Sequence, residues 1–176
     1  MKKVIAFAGT NSKSSINKQL ATYAVSQLKE VTVEVLDLND FELPLYSIEY
    51  EMEHGVPNNA QLFLDKIKTS NGIVLALAEH NGAYTVAFKN LFDWMSRIEG
   101  KLWNNVPMLL MASSPGARGG ATVLEIAKGR FPYMGGHIIS DFSLPSFAEN
   151  FSEGKIINTE IDLQLKHAIA TFENAI

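Results

Sequence analysis

The chain has 176 residues, of which 47% are hydrophobic and 19% are charged, and its formal net charge is −4. This length fits a single domain over residues 1–176, and the mild acidity offers no basic surface to nucleic acid or to an anionic membrane. No apolar run reaches the roughly 20 residues of a membrane span, and the absence of cysteine excludes thiol catalysis and disulfides. The N-terminal apolar stretch is too short for a signal peptide, so the sequence predicts a cytoplasmic protein.

Short apolar runs alternate with longer segments of helical periodicity along the chain. Lys3–Ala8 predicts a first strand, and Asn17–Lys29 predicts a helix with apolar residues at helical spacing. Val31–Leu38 alternates in polarity and predicts a peripheral strand, whereas the continuous apolar runs Gly72–Ala78 and Pro107–Ser113 predict central parallel strands. The other predicted elements are the strand His137–Phe142 and the helices Asn59–Thr69, Val86–Ile98, Ala121–Phe131 and Ile161–Ala175.

Five strands alternating with five helices predict a doubly wound α/β domain, in which helices cover both faces of a parallel sheet. Ligands bind such sheets beyond the carboxyl ends of the strands, where the strand order reverses. Three loops are predicted to lie there: Gly9–Asn17, Glu79–Thr85 and Ser113–Gly120. Two long connections, Asn39–Asn58 and Ser143–Asn158, are of a length that is often functional or interface-forming.

The first loop, Gly9–Asn17, is rich in hydroxyls, carries one lysine and has no acidic residue. Such a loop before a helix suits a phosphate, because the first-turn N–H groups lack partners and the helix dipole favours an anion. Asn17 either caps the helix or binds the ligand. The loop has neither a Walker Gly-Lys-Ser/Thr nor the glycines of a dinucleotide fingerprint. It therefore predicts either a phosphorylated ligand of another kind or an ordinary capped turn.

The second loop, Glu79–Thr85, follows the strongest predicted strand and contains the turn dipeptide Asn81-Gly82. A turn at this place exposes backbone donors and acceptors that suit the edge of a flat heteroaromatic ring. His80 either stacks on such a ring or is an ordinary surface histidine. Glu79 is equally compatible with a plain solvated carboxylate.

The third loop, Ser113–Gly120, combines Pro-Gly and Gly-Gly turn signals just before a predicted helix. Glycines allow a backbone to approach a ligand closely, and the N-terminus of the helix favours negative charge. Arg118 either pairs with a phosphate or is exposed on a tight turn.

Together the three loops resemble the NADPH-dependent FMN reductases, a flavodoxin-like family with azo-, quinone- and chromate-reducing members. The family motifs are Gly-Ser-x-Arg-x-x-Ser-x-Asn, Pro-Glu-Tyr-Asn-Gly and Ser-Pro-Gly with following glycines. They are matched here by Gly9-Thr10 with Ser15 and Asn17, by Glu79 with Asn81-Gly82, and by Ser114-Pro115-Gly116 with Gly119-Gly120. Lys89–Arg97 is similar to the helix after the second loop, and the resemblance runs from Lys3 to about Phe142.

The resemblance implies a flavodoxin-like five-stranded parallel sheet in the order 2-1-3-4-5, with FMN as cofactor and NADPH or NADH as co-substrate. It implies that the FMN phosphate is held by Thr10, Ser12, Ser15, Ile16 and Asn17. It places the isoalloxazine against Glu79, His80, Asn81 and Gly82, with Ser114 and Gly116 near its other face or edge. No catalytic side chain and no metal site are expected, because the flavin carries the chemistry.

Two positions depart from the family pattern. Ser12 stands in place of the phosphate-loop arginine, which removes a permanent charge and a bidentate fork. His80 stands in place of the tyrosine of the second motif. Both changes affect the choice of pyridine nucleotide more than they affect FMN binding, since backbone donors provide much of the flavin contact.

The resulting hypothesis is an FMN-dependent NAD(P)H oxidoreductase that passes electrons to a flavin, quinone or azo-type acceptor. The alternatives are a flavodoxin-like electron-transfer protein and a flavin-binding protein without its own nicotinamide turnover. The resemblance also implies a homodimer or homotetramer, with the Val86–Ile98 helix near the interface. That helix is apolar around more of its circumference than one buried face needs, which fits either an interface or deep burial in the monomer.

Overall fold

The computed structural model describes residues 1–176, and a parallel sheet forms its centre. The strands of this sheet are β1 (Lys2–Gly9), β2 (Val31–Leu36), β3 (Gly72–His80), β5 (Pro107–Ser113) and β6 (His137–Leu144). They lie in the order β2-β1-β3-β5-β6, and the two-residue strand β4 (Ala83–Tyr84) pairs antiparallel with β3. The predicted flavodoxin-like order of five parallel strands is therefore confirmed. The short strand β4 is an addition that the sequence analysis did not predict.

Seven helices surround the sheet, two more than the sequence pattern predicts. They are α1 (Ile16–Ser26), α2 (Ile48–His54), α3 (Asn58–Lys68), α4 (Val86–Ile98), α5 (Ala121–Arg130), α6 (Phe147–Asn150) and α7 (Thr159–Glu173). The additional helices α2 and α6 lie in the two long connections, which also contain a 3-10 turn at Leu38–Phe41 and the hairpin of β7 (Phe151–Ser152) and β8 (Lys155–Ile156). Neither of the two was visible as a periodic pattern, because α2 buries no side chain and α6 has four residues.

The core is divided by the sheet into two layers. Alternate residues of each strand face opposite sides, so that Ile5 and Phe7 pack against α3, α4 and α5. Val4 and Ala6 face the other side and pack against α1 and α7. Both faces of β3 and β5 are covered, which explains their continuous apolar sequences, and β2 lies at the edge as predicted. No helix is long and apolar enough to cross a membrane.

Helix α4 buries most of its apolar side chains within the monomer itself: those of Phe88, Leu91, Phe92, Trp94 and Met95. The connection of residues 37–57, which we call the strap, covers the outer side of this helix. The indole Nε1 of Trp94 donates to the carbonyl of Pro44 at 2.8 Å, and the amide of Asn90 bonds to Pro44 O and to the Tyr46 N–H. Of the two explanations for the wide apolar surface of α4, burial in the monomer is therefore the one observed.

Candidate functional site

Three loops begin side by side at the carboxyl edge of the sheet. In the pairing of adjacent strands, Gly9 of β1 lies opposite Leu77 of β3, and Ala78 lies opposite Ser113 of β5. With neighbouring strands about 4.8 Å apart, the loops after β1, β3 and β5 start within roughly 10 Å of one another. The chain leaves β1 through α1 on one side of the sheet and leaves β3 through α4 on the other, so the strand order reverses between β1 and β3.

The loop after β1 has several backbone N–H groups without a partner. The Ser15 hydroxyl caps α1 by accepting from the N–H groups of Asn17 and Lys18, and the Thr10 hydroxyl accepts from Ser12 N–H. The remaining loop amides make no hydrogen bond within the chain: those of Asn11, Lys13, Ser14, Ser15 and Ile16. An anion is the partner that such a group of donors at a helix N-terminus favours.

The side chains of this loop divide into a buried and an exposed set. Thr10, Ser15 and Asn17 are buried, so they shape the loop, while Ser12 and Lys13 are exposed. Lys13 forms no ion pair, whereas Lys18 on the first turn of α1 is paired with Asp37. Lys13 is therefore the one cation of the loop that is available to a ligand.

Asn17 has a structural position that the sequence analysis did not predict. It is not the helix cap, which is Ser15. Its side chain is 2% exposed, donates through Nδ2 to Ser113 O at 3.0 Å and accepts through Oδ1 from Ser113 N–H at 2.8 Å. Both polar atoms of the amide are thus committed to the end of β5.

The loop after β3 is a tight hairpin turn. Asn81 and Gly82 have φ angles of 52° and 74°, the left-handed values that a two-residue turn of type I′ requires. Their N–H groups make no hydrogen bond within the chain, as expected for a turn that presents its backbone to a ligand. His80 is exposed, and its side chain borders a cavity described below.

Glu79 points to a neighbouring helix. Its carboxylate accepts from the N–H of Val123 at 3.0 Å, in the first turn of α5. An anion at this position complements the positive end of the helix dipole. The carboxylate therefore joins the second loop to the helix that follows the third.

The loop after β5 is held by the segment that follows β6. The carbonyls of Ser114 and Gly116 accept from the N–H groups of Phe147 and Ser146 at 3.1 and 3.0 Å. The amides of residues 116–118 make no hydrogen bond within the chain. A Cβ at Gly116 would meet no atom within 4 Å, so open space lies beside this backbone. Arg118 is exposed and donates to the Thr122 hydroxyl.

Three contacts, which together comprise four hydrogen bonds, fasten this edge together. Besides the Asn17–Ser113 and Glu79–Val123 contacts, the buried Thr85 hydroxyl donates to Gly9 O at 2.8 Å. We call residues 9–15, 79–85 and 113–120, joined in this way, the loop ring. Thr85 and Ser113 were not among the predicted site residues. Thr85 has a sequence signal, because it directly precedes a helical segment as an N-cap does, but the Ser113 contact has none.

A cavity of about 700 Å³ adjoins the loop ring on the α4 side of the sheet. It lies between the loop after β1, the strap and the first turns of α4. Its lining residues are Asn11, Leu38, Asn39, Phe41, Glu42, Leu43, Pro44, Leu45, His80, Thr85, Val86, Ala87, Asn90 and Leu91. The length of the Asn39–Asn58 connection was the only sequence signal for it.

The donors of the loop ring fit a phosphorylated ligand with a flat polar ring. Free amides next to α1 suit the phosphate, and free amides at Asn81 and Gly82 beside the open space at Gly116 suit the ring. The fold and this edge define a flavodoxin-like protein whose loop ring suits a phosphorylated aromatic ligand. The sequence matches the NADPH-dependent FMN reductase family over residues 2–149, so the chain belongs to that family, whose cofactor is FMN.

Individual relatives agree with this assignment. A quinone reductase of Escherichia coli (strain K12) is 28% identical over 120 residues, which cover 68% of this chain and 63% of that protein. An NADPH azoreductase of Bacillus sp. (strain OY1-2) is 30% identical over 123 residues, covering 70% and 65%. The chain thus spans less than two thirds of the length of both relatives.

Solved structures show the same fold at low sequence identity. The flavoenzyme NAD(P)H:(acceptor) oxidoreductase FerB from Paracoccus denitrificans superimposes with a TM-score of 0.78 at 22% identity, covering 99% of this chain and 97% of that one. RosB, solved with 8-demethyl-8-formylriboflavin-5'-phosphate, gives a TM-score of 0.73 at 13% identity, covering 99% and 79%. The ligand-binding roles of the individual loop residues remain predictions.

Proposed function

We propose that this protein is an FMN-dependent NAD(P)H oxidoreductase that passes electrons to a small acceptor of the flavin, quinone or azo type. The observation that carries the proposal is the group of partnerless backbone amides on three adjacent loops of a chain that belongs to the FMN reductase family. When bound, FMN supplies the redox chemistry, taking a hydride from the nicotinamide and passing electrons on.

The chain's own residues hold and orient the cofactor. The amides of Asn11 and of residues 13–16 bind the phosphate, helped by Lys13 and the exposed Ser12 hydroxyl. Thr10, Ser15 and Asn17 act indirectly, by shaping the loop. Phosphate binding by backbone amides explains why the arginine of the family motif is not needed here, because these donors and the helix dipole stabilise the phosphate dianion.

The ring is held mainly by backbone as well. The amides of Asn81 and Gly82 donate to its polar edge, and Gly116 leaves room for it. The N-terminus of α5 contributes less negative-charge stabilisation than a free helix end, because the Glu79 carboxylate already occupies its first turn. No side chain is assigned a catalytic role.

Steady-state oxidation of NADH and of NADPH with menadione as acceptor tests the activity. FMN-loaded protein is compared with an equal concentration of free FMN. Turnover well above that of free FMN is expected. Turnover no faster than free FMN overturns the proposal, and turnover that requires an added reductase supports the flavodoxin-like alternative instead.

Substitution of Gly116 tests the cofactor site separately. Gly116→Leu places a side chain in the open space of the third loop and should weaken FMN binding at least tenfold, measured by quenching of flavin fluorescence. Gly129→Leu is the matched control, since a Cβ there also meets no atom within 4 Å and lies on α5. Equal FMN affinities in the two variants would remove Gly116 from the site.

We also propose that the chain assembles as a homodimer or homotetramer through the strap. Leu45 and Met52 are 73% and 82% exposed, and Ile48 is 48% exposed, an apolar group of the kind that marks an interface. Met52→Glu should lower the mass measured by light scattering after size exclusion, and Leu163→Glu on α7 should not. The cytoplasmic location stays a prediction.

A further inference from the structure

The cavity beside the loop ring is not needed to bind the FMN phosphate, yet some of its lining residues belong to the loop ring itself. Asn11 belongs to the loop after β1, and His80 directly precedes the turn of Asn81 and Gly82. Thr85, whose hydroxyl donates to Gly9 O, is a residue of the same wall. A ligand in this cavity therefore lies next to the place where the flavin ring is proposed to bind.

The floor of the cavity is apolar and its shape is set by the strap. Leu38 and Leu91 are buried there, and Phe41 and Leu43 pack against the same core layer. Asn90 is a lining residue whose amide is already bonded to Pro44 O and Tyr46 N–H. A volume of about 700 Å³, in which 7 of the 14 lining residues are hydrophobic, is of the size of a small-molecule site.

The charge of the lining restricts the ligand. No lysine or arginine lines the cavity, and Glu42 is its one carboxylate. The phosphates of a pyridine dinucleotide would find no cation there, and a sulfonate or carboxylate would face Glu42 without compensation. Among the exposed lining side chains, those of His80 and Asn11 can donate a hydrogen bond to a carbonyl oxygen, and His80 directly precedes the turn of Asn81 and Gly82.

We propose that this cavity binds the electron acceptor and selects uncharged, flat quinones over anionic acceptors, with His80 donating to a quinone oxygen and Glu42 repelling negative charge. The proposal rests on the proposed oxidoreductase function and narrows its substrate class. It assigns a specificity role to two side chains that lie outside the flavin-binding backbone.

Calorimetric titration into the oxidised, FMN-loaded protein tests the proposal without turnover. Menadione should bind at least tenfold more tightly than the anionic probe 1,2-naphthoquinone-4-sulfonate. Val86→Trp, which adds bulk at a lining position that is 73% exposed, should weaken menadione binding at least tenfold and leave FMN affinity unchanged. Leu163→Trp, on an α7 position that is 61% exposed, is the control and should change neither affinity.

The proposed repulsion of anionic acceptors by Glu42 is tested by reversing the charge of this side chain. Glu42→Lys should narrow the preference for menadione over the sulfonate by at least fivefold, whereas Glu125→Lys, the same exchange on α5, should not. His80→Phe should weaken menadione binding. Equal binding of both quinones by the wild type, or menadione binding unaffected by Val86→Trp, overturns the proposal. Because these are binding measurements, they can succeed where NAD(P)H turnover fails, so the two proposals fail separately.

Discussion

The loop ring and the strap lie on either side of the same cavity but are fastened in different ways. The loop ring is joined by hydrogen bonds whose donors and acceptors are buried, such as Asn17 to Ser113 and Thr85 to Gly9. The strap is joined to α4 and α1 by polar contacts nearer the surface, including Arg97 to Glu51 and Lys18 to Asp37. Burial protects the first set from competition with water, whereas exposed ion pairs contribute about 1 kcal/mol or less.

This difference in the burial of their contacts suits the two regions to different proposed ligands. A preorganised loop ring presents its amides without reorganisation, which favours tight binding of a resident cofactor. A strap with weaker ties and exposed apolar side chains is suited to a variable acceptor and to contact with another subunit. Four predictions test this contrast.

The largest effect is expected for Asn17→Ala. The substitution leaves the buried N–H and carbonyl of Ser113 without partners, which costs about 3 kcal/mol of unfolding free energy. The melting temperature should fall by roughly 6 to 12 °C, measured by circular dichroism. Asn58→Ala is the control, because that amide is exposed and makes no hydrogen bond, and it should change stability by less than about 0.5 kcal/mol. Similar losses of unfolding free energy in both variants would contradict the stabilising role of the Asn17–Ser113 hydrogen bonds.

Thr85→Val should have the next largest effect. Its hydroxyl donates to Gly9 O and accepts from Phe88 N–H at the start of α4. Loss of both bonds in an isosteric variant should cost about 2 kcal/mol in urea unfolding. Thr85→Ser keeps the hydroxyl and should retain most of the stability. A Val variant as stable as the Ser variant would show that the loops are held by packing alone.

Comparison of two tryptophan variants tests whether the hydrogen bond from Trp94 to Pro44 holds the strap on α4. Trp94 and Trp103 are both fully buried, but the indole of Trp94 donates to Pro44 O while that of Trp103 has no partner. Trp94→Phe should therefore cost about 1 kcal/mol more than Trp103→Phe, which loses the same volume. Limited proteolysis should cut within the strap faster in Trp94→Phe only. Equal cleavage would mean that this bond does not hold the strap.

The smallest expected effect is a pH dependence of the hydrogen bonds of Asp37, the first residue of the strap. The hydrogen bond from Lys18, aided by the Asn39 N–H, lowers the pKa of Asp37 below its ordinary value of 3.8. A depressed folded-state pKa adds stability that is present above the ordinary value and is lost as the pH falls through the folded one. The protection of the Asn39 amide against hydrogen exchange, measured by NMR relative to the intrinsic rate at each pH, should therefore fall below about pH 4.

Two comparisons sharpen the acid prediction. The Ser113 amide donates to the uncharged Asn17 side chain, so its protection should be less sensitive to acid than that of Asn39. Asp37→Asn should remove the acid-dependent step at Asn39. Loss of protection at both amides at the same pH would indicate global unfolding and not release of the strap.

Much of the architecture could be predicted from the sequence because it follows from local patterns. The continuous apolar runs of β3 and β5 identify central strands, since both of their faces are buried. The Asn81-Gly82 dipeptide predicts a turn with positive φ, which the structure confirms. Resemblance to the family supplied the strand order and the cofactor, which periodicity alone does not determine.

The cavity and the role of the strap were not predictable in the same way. Helix α2 carries no amphipathic pattern, because none of its side chains is buried, so the connection looked structureless. The apolar surface of α4 indicated burial but not what buries it. The Trp94 contact with Pro44, 50 residues away, resolves that question.

By itself the sequence determined the five parallel strands, the five longer helices, the two-faced burial of the sheet and the family to which the chain belongs. These depend on the period and order of residues along the chain. Only the tertiary structure decided that Asn17 clamps Ser113, 96 residues away, and that Glu79 caps α5. Partners of buried polar atoms depend on which loops the fold brings together, because a hydrogen bond needs contact within about 3 Å and not proximity in sequence.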